Sequence, residues 1–276
     1  MNKKNDAIST IILILVILIG LSLLLYPAFS EYWNDKVSSH AVALYQEQLD
    51  AIDEEQYTEL WEFAYRHNES LHTRENAYKL YEDQIETYNE ALDVGGNGVM
   101  GYIEIPAINV SLPIYHGTSE PVLQIAVGHL EWTSLPIGGE SSHTVLSGHR
   151  GLPSAKLFTD LDKLVVSDRF KIHILDQVLT YEVDQILIVL PDETDSLLIQ
   201  EGKDLCTLVT CTPYGVNSHR LLVRGHRVEN DADAVNVRVT SDAIQVEPLL
   251  IACFIGIPIL GAMLVMMSLL DKLRDD

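Results

Sequence analysis

The chain has 276 residues, 47% of them hydrophobic, and a formal net charge of −22 at pH 7. That length supports one sizeable domain with appendages and excludes two large ones. The acidity argues against a nucleic-acid partner, whose phosphates repel such a surface.

After a short tail, residues 1–6, the stretch Ala7 to Ser30 carries no charge over 24 residues, enough to cross a ~30 Å hydrocarbon layer at ~1.5 Å per residue. A cleaved signal peptide is the alternative. The apolar run exceeds the ~7–15 residues of such a segment, however, and Tyr26-Pro27-Ala28-Phe29-Ser30 is a poor small-residue cleavage site, so residues 7–30 read as an uncleaved transmembrane helix. Residues 31–98 show apolar positions at helical spacing: Val37, Ala41, Leu44, Leu49, Ile52, Leu60, Trp61 and Ala64, then Tyr78, Leu80, Tyr81, Ile85, Tyr88 and Leu92 beyond a turn-like His67-Asn68-Glu69-Ser70. The pattern predicts two or three amphipathic helices whose charges face solvent.

At Gly95-Gly96-Asn97-Gly98 the texture changes. Residues 99–228 form short β-rich runs punctuated by Gly, Pro, Asn and Asp: Gly101 to Ile105, Val110 to Tyr115, His143 to Ser147, Phe170 to Leu175, Val178 to Leu190, Leu205 to Thr210 and Leu221 to Arg224. Seven or eight such strands predict a small closed or nearly closed β-barrel. Residues 229–247 read as a polar linker. Residues 248–270 are again uncharged and long enough for a second transmembrane helix, followed by a tail, 271–276. Lys3 and Lys4 flank one span, Lys272 and Arg274 the other, so both termini are expected in the cytoplasm and the acidic region between them outside.

The three cysteines do not read as a disulfide framework. Cys253 lies in the second span, and Cys206 and Cys211 share one apparent strand, about 16 Å apart at ~3.3 Å per residue, against the ~4.4–6.8 Å a disulfide needs. Cys206, in mid-strand, reads as a small hydrophobe. Cys211 ends its strand before the loop signal Thr212-Pro213-Tyr214-Gly215 and is the candidate nucleophile. A thiol needs a base and a fixed cation to act. Of ten histidines, His149 ends a strand between glycines in Ser147-Gly148-His149-Arg150-Gly151, and Arg220 opens the run Leu221-Leu222-Val223. Position alone leaves Arg220 open between an oxyanion-holding guanidinium and a solvent-facing strand arginine such as Arg224 or Arg227. No Cys-x-x-Cys or His-x-x-x-His spacing supports zinc, so no metal is expected.

Thr207-Leu208-Val209-Thr210-Cys211 resembles the Thr-Leu-x-Thr-Cys signature of the sortase family, with His149 and Arg220 standing where that family carries its histidine and arginine. The resemblance extends to the pilus-assembling class C sortases through Leu112-Pro113-Ile114-Tyr115-His116-Gly117-Thr118, Val127-Gly128-His129-Leu130-Glu131, Gly148-His149-Arg150-Gly151-Leu152-Pro153 and Cys211-Thr212-Pro213-Tyr214. It implies a mainly β fold: a closed eight-stranded sortase barrel, an N-terminal helical extension and two flanking membrane helices. It also implies a cysteine transpeptidase of the Gram-positive cell surface that uses no cofactor. Cys211 would attack the threonine carbonyl of a Leu-Pro-x-Thr-Gly-like signal, with Arg220 on the oxyanion and His149 as acid and base. The thioester would then pass to a lysine amine of another pilin, so the implied partners are pilins and the cell membrane. A peptidoglycan amine as acceptor, water as acceptor, or a tethered binding module without chemistry are the other readings.

One stretch departs from the family. Pilus sortases carry an Asp-Pro-aromatic plug before the barrel, and the corresponding residues here, Leu92-Asp93-Val94-Gly95-Gly96-Asn97-Gly98, have the aspartate but neither proline nor ring. Asp93 is therefore a candidate lid residue that could pair with Arg220. The glycines predict a mobile loop and a cleft that is open or only loosely shielded.

Overall fold

The computed structural model describes residues 3–72, 78–80, 82–230, 256 and 261. The chain forms two compact units, one of Met1–Trp33 with Val239–Asp276 and one of Asn34–Arg238. Helix α1 (Lys3–Ala51) begins in the first unit and ends in the second; it continues through Tyr26–Ser30 and contains an 18-residue stretch of mean hydropathy 2.7, long and apolar enough to cross a membrane. Leu23 and Leu24 on it are bare. Of the second predicted span only Gly256 and Gly261 are described, so that span, like most of the predicted linker, lies outside the described residues.

The second unit is a closed barrel of eight strands: β1 (Val99–Ile105), β2 (Val110–His116), β3 (Val127–His129), β4 (Ser142–Ser147), β5 (Arg169–Ile174), β6 (Gln177–Val189), β7 (Asp204–Thr212) and β8 (His219–Val228), arranged β1-β2-β3-β4-β7-β8-β6-β5. Neighbours are antiparallel except β2–β3 and β4–β7. β3, with three residues, was not anticipated as a strand, because so short a run shows no period.

Along β7, Cys206 and Leu208 point inward and join Phe170, Tyr181, Leu146 and Val223 in the core. Val209 faces outward and packs in a separate cluster with Val145, Leu197 and Leu222. Both faces of β7 are covered, which is why its sequence is almost continuously apolar and β-branched instead of alternating.

The predicted helices are present: the lower half of α1, α2 (Glu54–Leu71) and α3 (Glu82–Glu90). α2 starts at a capping box in which Asp53 and Gln56 satisfy each other's backbone N–H. It runs straight through the predicted turn at His67–Ser70. Asn68 is buried and exchanges two hydrogen bonds with the Leu135 backbone, 2.7 and 3.2 Å, so its polarity serves packing and not a chain reversal. The helices are also no detachable lid. Ala64, Tyr88, Ala91 and Leu92 belong to the barrel's own hydrophobic core. The buried Tyr45 hydroxyl donates to Met100 O (2.9 Å) and accepts from Leu175 N (2.8 Å), bonding α1 to β1 and to the turn after β5.

His129 on β3 is wholly buried, its Nδ1 accepting from the Tyr88 hydroxyl (2.9 Å) and its Nε2–H donating to Ser134 O (2.8 Å). Both nitrogens are satisfied in the neutral form, and burial pushes the ring down from an ordinary 6.5 to about 3. The unfolded chain therefore takes up a proton below pH 6.5 that the folded chain refuses. This contribution to stability is whole above 6.5 and is lost as pH falls toward 3. An NMR titration of the histidine rings is expected to find His129 neutral throughout the mildly acid range, with the denaturant midpoint falling over the same interval. A His129 ring titrating at 6.5 in the folded protein would contradict this.

Candidate active site

Cys211 and Arg220 are direct cross-strand partners on β7 and β8, one rung before the ladder ends at Thr212 and His219. The question is what brings His149 to them. β4 runs parallel to β7 with Ser147 opposite Val209. Past the end of β4 the pairing continues: Gly148 N–H donates to Val209 O (3.0 Å), and the Thr210 hydroxyl donates to Gly148 O (2.8 Å). Continued two residues past Ser147, the same register would set His149 opposite Cys211. Cys211 and Arg220, as cross-strand partners, share one face of the sheet, and His149 follows two residues after the end of the adjacent β4. Gly148 is required here, since a Cβ would stand 2.7 Å from the Phe158 ring, and Phe158 N in turn donates to His149 O (3.1 Å).

The two thiols differ as predicted from position. Cys211 is half-buried at the strand mouth, while Cys206 is wholly buried and burial raises its thiol well above the ordinary value. Cys206 stays protonated and inert. Arg150, Arg169, Arg224 and Arg227 each face a carboxylate, Arg224 gripping Asp184 with two bonds of 2.9 Å. Arg220 is different. Its Nη1 donates to the carbonyls of Asn217 (3.3 Å) and His219 (3.1 Å), and it has no carboxylate partner among the described residues. Two backbone oxygens hold the guanidinium in place without neutralising it, leaving its charge for an oxyanion.

Asp93 does not supply the missing partner. Its Oδ1 accepts from Asn97 N (3.1 Å) and Gly98 N (3.0 Å), and the loop is fastened by His116, whose N–H donates to Gly98 O (3.1 Å). The predicted mobile loop is a pinned turn at the start of β1, with β5 and β6 standing between β1 and β8 on the shorter way round the barrel. Tyr78 lies near a separate apolar cluster through its contact with Trp132. It donates to Asp195 Oδ1 (2.8 Å) and meets Trp132 edge-on at 5.5 Å, and Trp132 packs against the buried cluster of Val145, Leu197 and Leu222.

Two contacts were invisible in the sequence. The Arg150 guanidinium lies 5.8 Å from the Tyr214 ring and pairs with Asp162, clasping the loop after His149 to the loop after Cys211. Gly151, at φ +75°, allows the Tyr214 ring to approach. On the other side, Glu120 Oε2 stands 3.6 Å from His149 Nε2. No sequence period marks Glu120, which reaches the site from a crossover between β2 and β3. Among the described residues no three His, Cys, Asp or Glu side chains converge as metal ligands.

Residues 103–228 match the sortase domain family. Sortase D of Bacillus subtilis (strain 168) is 34% identical over 131 residues, 46% of this chain and 63% of that protein, and Sortase A of Bacillus anthracis is 27% identical over 84% of this chain and 99% of that protein. Among solved structures, sortase C1 from Streptococcus agalactiae superposes with a TM-score of 0.68 at 53% identity, covering 70% of this chain and all of that one. Sortase C of Streptococcus pneumoniae gives 0.61 at 43%, covering 69% of this chain and 97% of that one; the description of that structure concerns catalysis and pilin substrate specificity.

Proposed function

We propose, for a chain that belongs to the sortase family and whose structural relatives are class C sortases, that it is a pilin-polymerising transpeptidase with Cys211 as nucleophile. The observation that carries the reading is the pairing across one rung of Cys211 with an Arg220 that has no carboxylate partner among the described residues, with His149 two residues beyond the end of the adjoining strand.

The Cys211 sulfur attacks the threonine carbonyl of a Leu-Pro-x-Thr-Gly-like signal, and its proton goes to His149. The carbonyl electrons move to oxygen, where the Arg220 fork stabilises the charge. As the tetrahedral species collapses, the Thr–Gly C–N bond breaks and His149 gives its proton to the departing glycine amine. The threonine remains as a thioester on Cys211. A lysine ε-amine of the next pilin then attacks the thioester, His149 accepts its proton, and the thiol leaves as an isopeptide bond forms. The thioester preserves the free energy of the cleaved peptide, so no nucleotide is consumed. The apolar part of α1 anchors the enzyme in the membrane, with both termini cytoplasmic, a second span at 248–270 and the barrel outside.

The test is mass spectrometry of the full chain in detergent, incubated first with a signal peptide and then with a lysine-bearing pilin domain. The expected sequence is a hydroxylamine-sensitive adduct on Cys211, discharged into a threonine–lysine crosslink. Release to water alone, or to a peptidoglycan amine in preference to the pilin, would overturn the polymerase assignment.

A further inference from the structure

The transfer described above needs His149 to present one particular ring nitrogen to sulfur, and the ring by itself has no reason to choose. The structure supplies a reason from outside the strands. Glu120 opens a short helix, α4 (Glu120–Leu123), in the crossover from β2 to β3. β3 pairs with β4 through Gly128 and Ser147, which brings the crossover alongside the end of β4. The carboxylate does not swing freely: its Oε1 accepts from Gln124 Nε2 at 2.5 Å, which leaves Oε2 facing His149 Nε2 at 3.6 Å. Gln124 first, and His149 after it, hold the Glu120 carboxyl below its ordinary range, so it is ionised in neutral solution.

Resting on the transpeptidase reading, we propose that Glu120 is a positioning residue that keeps the proton of His149 on Nε2 and thereby assigns Nδ1 to the exchange with Cys211 and the leaving amine. An ionised carboxylate can only accept, so its charge 3.6 Å away favours hydrogen on the nitrogen it faces, and the lone pair of the neutral ring is then left on the other nitrogen. The same logic orders the histidine of serine-protease triads, where a buried aspartate fixes the tautomer and its amide replacement costs ~10⁴ in rate. Glu120 is 69% exposed and His149 26%. Water competes for both, so the effect here is smaller, about tenfold.

The experiment compares the full-length wild type with Glu120→Ala and Glu120→Gln in detergent, by single-turnover acylation with a signal peptide and by the 15N shifts of the His149 ring. Glu120→Ala is expected to slow acylation about tenfold at unchanged KM and to move ring proton from Nε2 toward Nδ1. Glu120→Gln keeps an acceptor and is expected to fall between the two. An Ala variant within about twofold of wild type, an unchanged tautomer, or a Gln variant no faster than Ala overturns the proposal. A wild type that forms no thioester counts against the transpeptidase reading itself; a wild type that acylates beside an unaffected Glu120→Ala counts against Glu120 alone.

Discussion

Cys211→Ala is expected to abolish the acyl-enzyme, with no adduct detectable by mass spectrometry after prolonged incubation with a signal peptide. The sulfur is the only atom in the site that can form the thioester, so there is no slower version of the same chemistry behind it. Its truncation should scarcely alter stability, because the side chain is half-buried at the open end of a ladder. Cys206→Ala is the opposite case. That sulfur packs in the barrel core, so its loss should lower stability by about 1 kcal/mol while leaving acylation intact. Equal loss of acylation in both variants, each shown to be folded, would sink the assignment.

Arg220→Lys is expected to retain charge and lose rate, by about 10² to 10³ in single-turnover acylation, the cost of removing one oxyanion donor. The two carbonyls that hold Nη1 leave the rest of the guanidinium fork for substrate. An ammonium is one point with rotatable donors, and once it answers the same carbonyls it cannot also span the oxyanion with fixed geometry. The variant should melt like the wild type, since no salt bridge is broken. Near-normal turnover would return Arg220 to a structural role.

The parts of the site that the sequence disclosed are those whose local surroundings dictate them. β7 is covered on both faces, so its run of Leu, Val and Thr is unmistakable, and Cys211 stands where that run meets a Pro-Tyr-Gly turn. Gly148 and Gly151 flank His149 because Phe158 and Tyr214 leave no room for a Cβ. What stayed hidden depends on partners far away in the chain. Asn68 looks like a turn residue until Leu135 is seen to need its amide. The glycines after Asp93 suggest mobility, whereas the Asp93 carboxylate and His116 consume the free N–H and C=O groups of that loop. β3 is too short to show a period. Glu120 resembles any surface glutamate, because only the register of β3 on β4 carries it to His149.

The parallel pairing of β4 with β7 also has a kinetic meaning. These neighbours are separated in the chain by β5 and β6, and the ladder that leads toward His149 and Cys211 closes a loop of more than fifty residues. Such non-local pairing is slow to form, because the entropy of closure is spent before any contact rewards it. Hairpins such as β5–β6 and β7–β8 can form early, and the second already unites Cys211 with Arg220. His149 arrives only when the parallel seam closes. Until that seam closes, Cys211 stands beside Arg220 but not yet beside the end of β4, so the three residues come together only in the completed barrel.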